Sequence, residues 1–123
     1  MDSSVGNFKF EKLIVWQKAI DYIELIYKIS NNFPKTEIFG LQSQLRRAAV
    51  SVALNIAEGS GRTTKKEFRK FLHDALGSLR ETVTAIHIAK RLGYINQKQF
   101  DETYSKAIEI SKMLYMLAKS LVD

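Results

Sequence analysis

The chain has no cysteine, one proline and two histidines, and no uncharged apolar run near the roughly 18 residues that a membrane span requires. Without cysteine there is no disulfide and no thiolate metal ligand, which fits a reducing compartment. His73 and His87 stand 14 residues apart on one predicted helix, about 21 Å along its axis, so they cannot share a metal. The first residues, Met1-Asp2-Ser3-Ser4-Val5-Gly6-Asn7, lack the basic start and apolar run of a signal peptide. No stretch reads as a strand, a repeat or a low-complexity tract. These absences point to a soluble, cytoplasmic protein with no cofactor and no membrane partner.

What is present is helical periodicity, strongest in the stretch from Gly40 to Arg62. At about 100° per residue, Ile38, Leu41, Leu45, Ala48, Ala49, Val52 and Ile56 form one stripe, the core face of a long helix. Thr36 is its expected N-cap, with Glu37 in the first turn. Gly59 and Gly61 are expected to close it by adopting the left-handed conformation. Val50 and Leu54 sit opposite the stripe, with Ala53 between the two faces. A helix apolar on two sides must be buried on two sides, so Val50, Ala53 and Leu54 are the candidate oligomer interface.

Residues 1–9 read as a flexible leader and 10–123 as one domain. In the first helix Leu13, Trp16, Ala19, Ile20, Ile23 and Tyr27 share the expected core face, with Val15, Tyr22, Ile26 and Ile29 in an adjoining strip. Pro34, the single proline, marks the corner that follows. Thr64 and Glu67 match a capping box before a third helix, whose stripe is Phe68, Leu72, Ala75, Leu76, Leu79, Val83 and Ile86, with Phe71 at its edge. Gly93 ends that helix and Asn96 caps a fourth. There the expected core face is Phe100, Tyr104, Ala107, Ile108, Ser111, Tyr115, Ala118 and Val122, with Ile110, Leu114, Leu117 and Leu121 as a second strip. Four helices joined by short connections predict an all-α, antiparallel up-down-up-down four-helix bundle. The additional apolar strips on three of the helices predict a homo-oligomer.

Net charge is +6, and +5 of it lies between Arg46 and Lys70: Arg46, Arg47, Arg62, Lys65, Lys66, Arg69 and Lys70 stand against Glu58 and Glu67. These seven cations are the candidate nucleic-acid-binding residues. Lys65, Lys66, Arg69 and Lys70 occupy the first turns of the third helix, where the helix dipole disfavours cations; a sequence serving stability alone would place acids there. Lys66, Arg69, His73 and Arg80 fall along one flank and could track phosphates without reading sequence. Trp16, Phe68, Phe71, Tyr104 and Tyr115 sit on the expected core stripes, which leaves base stacking without a platform.

Catalytic patterns are weak. The turn Ser60-Gly61-Arg62-Thr63-Thr64 could seat a phosphate on its N–H groups, but it lacks the P-loop lysine pattern and a preceding strand. Glu58 is a lone carboxylate, expected with Asn55 to make polar contacts at a bundle end or subunit junction.

Several segments together carry a family resemblance: Phe10-Glu11-Lys12-Leu13-Ile14-Val15-Trp16-Gln17-Lys18-Ala19, Phe33-Pro34, Glu37-Ile38-Phe39-Gly40-Leu41, Gln44-Leu45-Arg46-Arg47-Ala48, Asn55-Ile56-Ala57-Glu58-Gly59, and Phe68-Arg69-Lys70-Phe71-Leu72 with Ala75-Leu76-Gly77-Ser78-Leu79-Arg80-Glu81. From about Phe10 onward the chain resembles the bacterial four-helix-bundle proteins labelled 23S rRNA intervening-sequence proteins, and departs only in a weakly patterned C-terminal helix. The resemblance implies a bundle that assembles as a ring of five, with no enzymatic activity. Some such proteins are encoded within inserts in large-subunit rRNA genes. A related branch, the accessory variability protein of diversity-generating retroelements, binds nucleic acid and a reverse transcriptase. The implied partners are therefore further copies of the chain, RNA or DNA, and, as the alternative, a protein such as a reverse transcriptase for which this chain is a scaffold.

Overall fold

The computed structural model describes residues 7–122, which form four α-helices: α1 (Ile14–Ser30), α2 (Leu41–Ser60), α3 (Lys65–Arg91) and α4 (Gln97–Ser120). Short 3-10 turns at Lys9–Lys12 and Lys35–Glu37 precede α1 and α2. Most of the expected leader, residues 1–6, lies outside the described residues. Each helix packs on two others in the order α1, α2, α3, α4 and back to α1. Contacts along α2 and α3 run in opposite order, Gly59 lying near Phe68 and Ser51 bonding Ser78. Those along α3 and α4 do the same, from Arg69 and Leu121 through Arg80 and Tyr115 to His87 and Phe100. Both pairs are therefore antiparallel. No described helix is long and apolar enough to cross a membrane.

The stripes on α2 and α3 fall mostly where their periodicity places them, though Leu41 and Val83 are half-buried and Ile38, which precedes α2, is 44% exposed. Leu45, Ala48, Ala49, Val52 and Ile56 are buried, as are Phe68, Leu72, Ala75, Leu76, Leu79 and Ile86. On α1 and α4 the buried side shifts toward the second strip, and of the expected core faces only the alanines, Ala19, Ala107 and Ala118, are fully buried. Val15, Ala19, Tyr22, Ile26 and Ile29 form the buried side of α1, while Leu13, Trp16, Ile20 and Ile23 are half-buried and Tyr27 is exposed. On α4 the buried residues are Thr103, Ala107, Ile110, Leu114 and Ala118, leaving Tyr104, Ile108, Tyr115 and Val122 exposed. Ala53, assigned from the sequence to the interface strip, is 5% exposed and belongs to the chain's own core.

The helix ends differ from expectation in instructive ways. Thr36 does not cap α2; it lies in the 3-10 turn, and α2 starts five residues later behind Gly40. Glu37 supplies the missing acceptor, its Oε1 taking the Leu41 N–H at 3.0 Å while its Oε2 takes the Tyr94 hydroxyl at 2.9 Å. That carboxylate pushes the Tyr94 pKa above its ordinary value. Gly61 is not left-handed (φ −89°), and Gly59 lies inside α2. Gly59 is needed for close approach: a Cβ there would stand 2.7 Å from Phe71 Cβ and 2.9 Å from Phe68 Cδ1. Gly93 does adopt positive φ, at 79°. The Tyr94 N–H then reaches the Ala89 carbonyl at 2.8 Å and the Gly93 N–H the Lys90 carbonyl at 3.1 Å, closing α3 in a Schellman motif. Thr64 Oγ1 accepts the Glu67 N–H and Asn96 Oδ1 the Gln99 N–H, but the reciprocal half of the box forms only at Asn96, since the Glu67 carboxylate takes the Thr64 hydroxyl at 3.0 Å.

Candidate nucleic-acid interface

The seven candidate cations do not form one surface. Two are built into helix ends. A helix leaves its last carbonyls without intrahelical partners, and those of α1 are met by side chains from α2. Gln42 Nε2 donates to the Ser30 carbonyl at 2.7 Å, and Arg46 Nη2 to the Tyr27 carbonyl at 3.3 Å. Arg46 Nε also donates to Ser30 Oγ at 2.9 Å, with the guanidinium 4.4 Å from the Tyr27 ring centroid. Arg69 plays the same part for α4, its Nη1 donating to the Leu121 carbonyl at 2.8 Å. A cation at a helix C-terminus complements the dipole, so Arg46 and Arg69 are explained by stability.

Arg62, Lys65, Lys66 and Lys70 remain together, all exposed, where α2 turns into α3. Arg62 pairs with Glu58 at 2.6 Å and Lys70 with Asp74 at 3.3 Å, both one helical turn apart on open surface. Such pairs contribute about 0–1 kcal/mol and are readily exchanged for a phosphate. Arg62 and Lys70 also lie over the Phe71 ring, at 4.8 and 4.7 Å from its centroid, and extend this cationic corner around an aromatic edge. Lys66 has no partner among the described residues. Asn55, expected to make polar contacts at a bundle end or subunit junction, donates within α2 to Ser51.

Arg47 lies apart, about 20 Å along α2 from the helix end at Ser60. It lines a groove of about 690 Å³ between α2 and α3 with Gln44, Ser51, Ser78, Arg80 and Glu81. His73 and His87 are exposed, and no group of three His, Asp or Glu among the described residues could hold a metal ion. Sequence reasoning missed a second groove, of about 410 Å³, between α3 and α4. Tyr104 and Tyr115, expected in the core, line it at 38% and 51% exposure. The signal was present in the second strip, Ile110, Leu114, Leu117 and Leu121: if that strip faces inward, the tyrosines must turn outward.

The family model described as 23S rRNA-intervening sequence protein matches residues 11–116. A solved structure from Bacteroides thetaiotaomicron, described as a protein with unknown function from the S23 ribosomal protein family, is 26% identical to this chain. The match covers 86% of this chain and 99% of that one, with a TM-score of 0.77. No curated protein matches.

Proposed function

Because the chain belongs to the 23S rRNA-intervening sequence protein family, we propose that it is a non-enzymatic homo-oligomer that binds nucleic acid, RNA foremost, through phosphate contacts. The observation that carries this is the cluster of Arg62, Lys65, Lys66 and Lys70 on open surface around the start of α3. Three of these cations occupy the first two turns of a helix whose dipole opposes them, and only Glu58, Glu67 and Asp74 lie nearby in sequence to offset them. A polyanion removes that repulsion and gains from releasing its own counterions. The contacts are to phosphates, so binding is strong at low salt and indifferent to sequence. Several copies in one assembly would multiply the surface.

A salt-dependent titration with RNA and DNA tests this. Each phosphate contact should contribute about 0.7 to the slope of log K against log salt for single strands and about 0.9 for duplex. Replacing Lys65, Lys66 and Lys70 with glutamine should weaken binding and flatten the slope, with stability held or raised as cations leave the helix start. Arg69→Gln is the contrasting control, since it uncaps α4 and should cost about 1–3 kcal/mol of stability. Equal affinity and slope in the triple variant would move the site elsewhere, with Arg47 next to examine. No binding by the native chain at low salt would favour a scaffold that docks a protein.

A further inference from the structure

The groove between α3 and α4 has the make-up of a single-strand site. Its α4 wall carries Tyr104, Ile108, Ser111 and Tyr115, and its α3 wall Val83 and Arg80. Tyr104 stacks on Phe100 with ring centroids 5.6 Å apart and planes 21° from parallel. The His87 ring meets both edge-on, at 4.9 and 6.1 Å. Tyr104 is thus held from behind while 38% of it stays exposed. Tyr115 is held differently, by Arg80 Nη2 donating to its hydroxyl at 3.1 Å, and half of it is exposed. The two tyrosines stand about 16 Å apart along α4, with the apolar Ile108 between them.

Cations outnumber acids around the groove. Exposed Lys66 and Arg80 lie on the same flank of α3, and exposed Lys112 and Lys119 lie one turn beyond Ile108 and Tyr115 on α4. Of the acids on these helices, Glu81 lines the other groove, Glu109 pairs with Lys18 of α1 at 3.5 Å and Asp74 pairs with Lys70, while exposed Asp101, one turn before Tyr104, accepts from Gln97 at 2.8 Å. Apolar aromatic surface between two cationic rims suits a strand that offers bases on one side and phosphates on the other. A duplex, whose bases are already stacked inside, could use only the rims.

We propose that the α3–α4 groove binds single-stranded nucleic acid, with unpaired bases stacking on Tyr104 and Tyr115 and phosphates lying on Arg80, Lys112 and Lys119. This rests on the nucleic-acid reading above and adds to it a preference for unpaired strands. The test uses the full chain with a short RNA carrying 2-aminopurine, alone and annealed to its complement. The native chain should bind the single strand more tightly and quench the fluorescent base on binding. Tyr104→Leu with Tyr115→Leu should lose about ten- to a hundredfold in single-strand affinity, with duplex affinity and the salt slope unchanged. Tyr115→Phe keeps the ring but frees Arg80 from its hydroxyl, and should retain most of the native single-strand affinity. Binding without quenching and without preference for the single strand would overturn the proposal in the unaltered protein, whatever the leucine variant does. Binding that is lost in the lysine-to-glutamine triple variant but unchanged in the tyrosine variant would overturn this proposal alone. Absence of any binding would remove both.

Discussion

The Tyr22 hydroxyl lies in the middle of the bundle, its side chain fully buried, 2.8 Å from Thr82 Oγ1. Thr82 Oγ1 itself donates to the Leu79 carbonyl at 2.6 Å, so its one proton is committed and Tyr22 is the donor between them. Burial pushes the Tyr22 pKa up to about 12. In the unfolded chain the phenol ionises near its ordinary value of about 10. Between those values the folded state keeps a proton that the unfolded state has lost, so stability falls as pH rises through that window. Two pKa units correspond to about 2–3 kcal/mol, fully present below about pH 10. Tyr22→Phe should cost about 1 kcal/mol at neutral pH. It should also flatten the loss between pH 10 and 12 relative to the native chain, as urea unfolding at stepped pH would show. Every other titrating group is common to both proteins, so curves that stay parallel would mean the hydroxyl is not the source.

At the scale of the helix, legibility depended on how many apolar strips each one carries. The α3 helix has one dominant stripe, with Ile88 exposed on the opposite side, and most of its buried face follows from the sequence directly. The α1 and α4 helices each carry two strips, and periodicity alone does not say which turns inward. Small and self-satisfied residues decide it. Ala19 and Ala107 let neighbouring helices approach closely, and Thr103 can be buried because its hydroxyl donates to the Gln99 carbonyl at 2.7 Å. Counting Thr103 as polar shifts the apparent phase of α4 and conceals the tyrosine groove. Glycine is a second ambiguity of this kind, and it yields a paired prediction. Gly59→Ala would drive a methyl against Phe68 and Phe71 and should cost about 1–3 kcal/mol by prising α2 from α3. Gly77→Ala meets nothing within 4 Å in the middle of α3 and should instead stabilise by about 0.5–1 kcal/mol. Thermal melts that shift in the same direction for both would contradict this packing.

Across the whole molecule, a positive segment was legible in the sequence but its division was not. Arg46 and Arg69 find their carbonyls on other helices, 19 and 52 residues away in the chain, which no local pattern reveals. The same folding step also relocates the surplus apolar surface, since on α4 it leaves Tyr104, Ile108, Tyr115 and Val122 exposed. Once the second strips of α1 and α4 turn inward and Ala53 joins the core, what remains on that side of α2 is half-buried Val50 and Leu54, the latter 64% exposed. A leucine this exposed beside a second apolar residue gains about 1.5–3 kcal/mol if a neighbouring copy covers it, and loses that gain if it stays wet. We therefore expect the native chain to sediment as an oligomer. Leu54→Glu places a carboxylate in that contact and should give monomers with helix content unchanged, because no core residue is altered. Light scattering and circular dichroism on both proteins decide the matter: a native chain that is monomeric at tens of micromolar would show that this face of α2 is simply solvated. A variant that loses helix along with assembly would show instead that Leu54 supports the bundle itself.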